Sequence, residues 1–255
     1  MENQQLSNLN EKQLQLITSA KFGDGHLSTT SLKGNSNYCT NCIYKEYLLH
    51  KQNVLGDLAR KICYVEKNGF AQKPIYTLSS NTNSAITLIR DESIETSLNR
   101  LNKLGLSYWF YDDGSLHKTK HFYNLNTHKF SAEIQRDLFI PFLQKFDIYA
   151  KLTKETKKDG REFHYLRISR FEGAFEMSEI MRANYINCFD YKIWSSETMN
   201  LFSKLRVELK LRGAVITNKH MGLFMNRALL GENVQDIVRS LEKSKAPKLQ
   251  WVGVN

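Results

Sequence analysis

Proline is nearly absent from this 255-residue chain, three residues in all, so no proline-rich linker sets one part off from another. Cysteine is scarce too. The four thiols, at positions 39, 42, 63 and 188, are too few and too irregularly spaced for a disulfide framework, which points to a reducing compartment. Cys39 and Cys42 form a C-x-x-C pair, but Cys63 and Cys188 do not supply the second pair a zinc site needs, and the two read as ordinary thiols. No run of about 18 apolar residues occurs, so no membrane-spanning helix is expected. The opening MENQQLSNLNEKQ has neither an apolar signal core nor an arginine-rich transit pattern, so the mature chain is expected to begin near Met1. Acidic residues are in deficit, 26 against 36 basic ones, a formal charge of +10. The lysines and arginines are spread along the chain, which suits a polyanionic partner, nucleic acid being the commonest; a basic protein charged only for solubility is the plain alternative.

What is present is a pattern that runs twice. Residues 11–24 read as a helix with Leu14, Ile17 and Ala20 on one face, followed by a polar strand from His26 to Lys33. Residues 40–58 read as a second helix with a stripe of Tyr44, Tyr47 and Leu48, ended by Gly56, and residues 60–67 and 73–80 as two strands. From residue 94 the order returns. A helix interrupted at Gly105 ends near Asp113, and residues 116–124 read as a strand. A helix from Ser131 to Phe146 buries Phe139, Phe142, Leu143 and Phe146, and a hairpin of 148–154 with 162–169 turns at Lys158-Asp159-Gly160. Residues 172–187 read as a closing helix. Residues 196–255 lie outside the repeat, read as two or three helices, and carry ten basic and five acidic residues, or +5. They are either a helical cap on the repeat or a further element that grips an anion.

The sharpest local feature is a pair of apolar helices that each end in aspartate before glycine: AKFGDGHLS at 20–28 and WFYDDGSLH at 109–117. A carboxylate at a helix C-terminus meets the negative end of the macrodipole, which costs roughly 0.3–1 kcal/mol. A divalent cation would remove that cost, because carboxylates and helix-end carbonyls are hard oxygen ligands for Mg²⁺. Gly25 and Gly114 suit a left-handed turn out of the helix. Asp-Gly is also a common turn, but two instances, each after a helix and before a strand, are harder to explain that way. Small residues, Thr18, Ser19 and Ala20 in one helix and Gly105 and Ser107 in the other, would let the two helices pack side by side.

ITSAKFGDG at 17–25 and LSYWFYDDG at 106–114 resemble the two signature helices of the LAGLIDADG homing endonucleases, the second more closely. LNTHKFS at 125–131 resembles the stretch before the family's next helix, and Asp190-Tyr191-Lys192 its closing tyrosine-lysine. The likeness covers about residues 12–195. The first motif departs from the pattern at Lys21 and Phe22.

The resemblance implies an α+β fold of two pseudo-symmetric αββαββα units, residues 1–93 and 94–195, forming a DNA-binding saddle, with 196–255 as a helical C-terminal extension. It implies a monomer that hydrolyses both strands of double-stranded DNA at an intron or intein insertion site. Asp24 and Asp113 would be its catalytic and metal-holding acids, Gly23 and Asp112 further metal contacts, Lys192 a catalytic cation, and Mg²⁺ the cofactor, with Mn²⁺ able to replace it. An RNA-binding intron maturase, with host intron RNA as partner, and a DNA-binding relative that has lost cleavage are the alternatives. The compartment would be one that holds DNA: a bacterial or phage-infected cytoplasm, or an organelle matrix. Strand parity then assigns a DNA-facing set. In the second unit Leu116, Phe122, Ile148, Ala150, Leu152, Leu166 and Ile168 turn inward. His117, Thr119, His121, Tyr123, Tyr149, Lys151, Thr153, Arg161, Tyr165, Arg167 and Ser169 face the groove. In the first unit Ser28, Thr30, Ser36, Tyr38, Thr77 and Ser79 are the candidates, and an ordinary solvent-exposed sheet face is the alternative.

Overall fold

Capping residues start most of the helices. Asn10 accepts from the Gln13 backbone while the Gln13 side chain accepts from the Asn10 backbone, a reciprocal box that opens α1 (Glu11–Ser19). Asn83, Ser93, Asn102, Ser131 and Ser195 do the same work elsewhere. The computed structural model describes residues 6, 8–29, 34–66, 74–117, 121–169, 171–212 and 218–243.

After α1 come β1 (His26–Thr29), β2 (Ser36–Cys42), α2 (Lys45–Leu55), β3 (Cys63–Val65), β4 (Ile75–Ser79) and α3 (Ser84–Asp91). The second pass is α4 (Ile94–Arg100), α5 (Lys103–Asp113), β5 (Gly114–His117), β6 (Phe122–Leu125) and α6, which joins Ala132–Ile134, a π-helical turn at Gln135–Phe139, and Ile140–Gln144. It ends with β7 (Ala150–Thr156), β8 (Glu162–Ile168) and α7 (Phe171–Ala183), followed by α8 (Ser196–Leu211), α9 (Asn218–Leu229) and α10 (Val234–Lys243). Among the described residues the strands form two four-stranded antiparallel sheets of the same order, β1-β2-β4-β3 and β5-β6-β8-β7. The expected α+β architecture, αββαββα twice, is what the chain adopts.

The two signature helices, α1 and α5, pack against each other, and each lends a side chain to the other unit's core. Phe22, just after α1, is fully buried among Trp109, Phe130 and Phe139, with ring centroids at 5.0, 6.2 and 5.9 Å. In return Tyr108 of α5 enters the first unit's core, where its hydroxyl meets His50 Nε2 at 3.1 Å. Close approach needs small residues at two points. A Cβ on Gly105 would fall 2.4 Å from Gln15 Oε1, and one on Gly23 would fall 2.7 Å from Asp112 Cβ.

Lys21, one of the two departures in the first motif, reaches the end of α3. Its Nζ donates to the carbonyls of Ile89 at 2.8 Å and Glu92 at 2.7 Å, carbonyls a helix end leaves without partners. The last helices continue the second unit's core. Phe202 of α8 stacks on Phe171 of α7 at 6.2 Å and packs on Trp194 at 5.8 Å, and α9 and α10 add Phe224, Met225, Ile237 and Val238.

Several boundaries differ from the sequence expectation. The helix expected over 11–24 stops at Ser19 and continues as turns to Asp24. Residues 40–42, read as helix, belong to β2, and α3, which the expected αββαββα unit calls for, falls at residues to which the sequence expectation assigns no element. Residues 116–124 are two strands of a hairpin, not one, and the break before α5 lies at Leu101-Asn102, leaving Gly105 inside the helix. Gly25 and Gly114 do not take left-handed backbones; Gly114 has φ −86°. Contact demands them instead, since a Cβ would meet Ala20 Cβ at 2.4 Å and the Phe110 ring at 2.5 Å respectively. Gly56, at φ +55°, does end α2 in the way expected of glycine.

Candidate active site

Asp24 and Asp113 come together because α1 and α5 run side by side and each aspartate follows the same way out, into the first strand of its sheet. Asp113 closes α5 and its carbonyl accepts from the Asn126 backbone at 3.0 Å, but among the described residues neither carboxylate accepts a hydrogen bond. Loss of hydration and then the Asp24 charge push the Asp113 carboxyl up to about 7, against the pull of Lys129 and Lys192. Asp24 is raised too, first by its recessed surroundings and then by the Asp112 charge.

Three lysines answer these acids. Lys192 is buried and its Nζ donates to the Tyr111 carbonyl at 2.6 Å; burial lowers its pKa, and the three aspartates oppose that. Lys129 Nζ donates to the Gly23 carbonyl at 2.8 Å, and its pKa is lowered in the same way. Lys51 Nζ pairs with Asp112 Oδ1 at 2.8 Å, and Tyr47 Oη donates to the same oxygen at 2.7 Å. Of the expected metal contacts, then, Asp24 and Asp113 are open, whereas the Gly23 carbonyl and the Asp112 carboxylate already hold lysines. A recess of about 330 Å³ opens beside them, lined in part by Asp24, Asn41, Tyr44, Tyr47, Asp112 and Lys192.

Among the described residues no three His, Cys, Asp or Glu side chains gather as a metal cage. A Mg²⁺ site does not need one, because this ion keeps several waters and is commonly held by one or two carboxylates plus substrate phosphates. Two carboxylates without hydrogen-bond partners among the described residues, one of them raised by burial and then by the other's charge, have the donor chemistry that a hard cation would satisfy.

The face of each sheet turned away from the core is polar. In the second sheet Ser115, Asn124, Arg167 and Lys151 form one register row across all four strands. Arg167 Nε donates to Asn124 Oδ1 at 3.1 Å, its guanidinium lies 4.6 Å above the Phe122 ring, and it also bonds the Tyr165 hydroxyl. Thr153 pairs with Tyr165, and His117 with Phe122, on the same face. Tyr149 and Ser169 flank β7 and β8, while Arg161 lies at the exposed hairpin tip, bonded to Asp159. In the first sheet Ser28, Thr77 and Ser79 share the open face with His26, Asn37, Cys39 and Asn41.

Four assignments to the DNA-facing set are corrected. Ser36 and Tyr38 are buried on the core face, because β2 pairs Tyr38 with Leu27 and so turns its even positions inward. Tyr123 is buried as well, its hydroxyl shared with Ser178 and the Trp194 backbone, and Phe122 faces out in its place. His121 leaves the strand altogether: it occupies the turn at φ +54°, against Phe171 and Trp194. Thr30 and Thr119 lie outside the described residues. Sequence reasoning missed Lys51, Lys129, Asn124 and Asn41. Lys51 did carry a signal, a lysine on the apolar stripe of Tyr47, Leu48 and Leu55.

The model of the LAGLIDADG DNA endonuclease family matches residues 21–174. A curated relative, the probable intron-encoded DNA endonuclease 3 of Mycosarcoma maydis, is 34% identical over 119 residues, 47% of this chain and 82% of the relative. Among solved structures, the homing endonuclease I-WcaI bound to its DNA recognition sequence superposes with a TM-score of 0.61 at 16% identity, covering 73% of this chain and 87% of that one. I-DmoI in complex with DNA and Mn matches with a TM-score of 0.47 at 12% identity, over 69% of this chain and 99% of that one.

Proposed function

This chain belongs to the LAGLIDADG DNA endonuclease family, and from its site we propose that it cuts both strands of a specific double-stranded DNA target, at an intron insertion site, by divalent-metal-dependent hydrolysis. The observation that carries this reading is the pair of carboxylates without hydrogen-bond partners among the described residues, Asp24 and Asp113, close enough for the Asp24 charge to raise Asp113 and each at the entry to the first strand of a sheet with a polar open face.

Asp24 and Asp113 would hold Mg²⁺, or Mn²⁺ in its place, and the bound ion would supply an acidified water and neutralise charge on the phosphate. Each acid would serve one strand. Lys192, fixed by the Tyr111 carbonyl, holds a cation beside both acids and would face the phosphate. The open faces would lie along the duplex, Arg167, Lys151, Asn124 and Asn41 meeting base edges and phosphates. Two half-sites within one chain make a monomer sufficient, and the free thiols among the described residues suit a reducing compartment that holds DNA.

The test is a plasmid carrying the intron-insertion junction of the chain's own locus. Linear product with Mg²⁺ or Mn²⁺, and none with chelator, is expected. Folded protein that binds this junction yet breaks neither strand with either ion would sink the reading. Arg167→Ala should weaken binding of the same DNA by ~10–100-fold, the loss of ~1–3 kcal/mol that a fork-like contact carries, as read by fluorescence anisotropy at fixed salt. Arg167→Lys should recover little of it, because a lysine cannot keep both the Asn124 bond and a bidentate contact.

A further inference from the structure

The two signature segments are not equivalent. Before its acid the first has Gly23, without a side chain, and the second has Asp112. The Asp112 carboxylate fills the space that Gly23 leaves, since a Cβ on Gly23 would fall 2.7 Å from both Asp112 Cβ and Oδ2. There it is held wholly by the first unit. Lys51 Nζ lies 2.8 Å from Oδ1 with neither side chain more than 3% exposed, and Tyr47 Oη donates to the same oxygen at 2.7 Å. The ammonium is itself boxed in, 4.2 Å from the Tyr47 ring centroid and 3.4 Å from Thr40 Oγ1. Thr40, Tyr47 and Lys51 come from β2 and α2, 61 to 72 residues before the aspartate they surround.

A buried ion pair of this kind is a weak contributor to stability, because the two charges lose about as much hydration as they gain in attraction. What it does supply is geometry. An aspartate fixed by two donors on one oxygen has one rotamer, and its peptide group leads directly into Asp113. We propose that Lys51 and Asp112 form a positioning strut that sets Asp113; the first acid, Asp24, has no side-chain strut of this kind, because Gly23 before it is held only through its carbonyl, by Lys129 of the second unit. The strut rests on the nuclease reading above. It assigns Asp112 no metal: Oδ1 is taken by Lys51 and Tyr47, and Oδ2 lies against Gly23.

Losing the strut should therefore slow one strand. A misplacement of about 1 Å lowers a rate by ~10²-fold, so in Lys51→Met the strand served by Asp113 should be cut ~10–100-fold more slowly while the other keeps its rate within about threefold. Single-turnover cleavage of a linear duplex target, with each strand end-labelled and resolved on a denaturing gel, reads the two strand rates separately, and supercoiled plasmid shows the same bias as accumulated nicked circles. The double variant Lys51→Met with Asp112→Asn leaves no unpaired buried charge, so it should regain the thermal stability lost by either single change and still show the strand bias. The Mg²⁺ concentration for half-maximal rate should not move in Asp112→Asn. Equal slowing of both strands, a double variant with restored strand balance, or a raised Mg²⁺ requirement in Asp112→Asn would each overturn the strut while leaving the nuclease reading standing. A wild-type chain that cuts neither strand would sink both. If Lys51→Met does not fold, Tyr47→Phe keeps the ion pair and removes one hydrogen bond; it should show the same bias to a smaller degree, and no bias there would count against the strut.

Discussion

Asp113→Asn should abolish cleavage and at the same time make the metal-free protein more stable. The first effect, a loss on the order of 10³-fold or more, is what removal of a reaction-centre group commonly produces. The second follows from the raised carboxyl. Asp113 titrates at about 7 in the folded chain, chiefly because burial strips its hydration and then because Asp24 is close, against 3.8 as its ordinary value. The folded state therefore binds this proton more tightly than the unfolded one. Stability from protonation is complete below pH 4 and is lost as pH rises through about 7. At pH 8 the ionised Asp113 opposes folding, and Asn removes that opposition. Allowing for the coupling to Asp24, the gain is ~1–2 kcal/mol, or ~3–8 °C in Tm for a chain of this size. Two further readouts follow. Between pH 5 and pH 8 the metal-free wild type should lose Tm more steeply than the variant, and Mg²⁺ at pH 8 should raise the wild type more than the variant. Duplex binding should persist or tighten, one negative charge having left the site proposed to face DNA. An Asn variant that cuts like wild type, or that melts lower at pH 8 without metal, would show that Asp113 is a structural acid.

Asp113 was legible because everything that marks it is local: an apolar helix, an acid at its end, a glycine, and a strand. The lysines were not, because their partners are distant in sequence. Lys129 meets Gly23 across 106 positions and Lys51 meets Asp112 across 61. β2 was missed, its last three residues taken into a helix and the rest left unassigned, because SNYCTNC lacks apolar alternation; its core-facing Thr40 is satisfied by Lys51, and the Ser36 backbone by Thr87, rather than by apolar packing. Missing that strand reversed the parity of Ser36 and Tyr38. Missing the turn at His121 reversed that of Phe122 and Tyr123. By contrast the β7–β8 hairpin was read correctly, Leu166 and Ile168 inward and Lys151, Thr153 and Arg167 outward, since its turn ends in Gly160 at φ +81° and its alternation is unbroken.

Phe22, which makes the first motif irregular, also meets partners distant in sequence. Phe22→Ala should be among the most damaging single changes outside the acids, at ~3–5 kcal/mol, because it removes a fully buried ring and leaves a cavity that its neighbours cannot close. Those neighbours, Trp109, Phe130 and Phe139, belong to the second unit and are packed edge-to-face on one another, at 5.1 Å for Trp109 with Phe139 and 4.8 Å for Phe130 with Phe139. Phe22 is thus a first-unit side chain that completes a second-unit core, as Tyr108 is the reverse. Melting should remain a single transition, displaced downward by ~8–15 °C, since the cavity weakens the surface through which the two units stabilise each other. Phe175→Ala, on the part-buried face between α7 and α8, should move it much less, because that ring is only partly buried and packs on Phe202 within the second unit's own core. If Phe22→Ala instead splits the melt into two steps, the units fold independently and the exchanged rings only align them. A shift smaller than that of Phe175→Ala would mean that the exchange is incidental and that the pairing of α1 with α5 holds through Gln15, Gly23 and Gly105 alone.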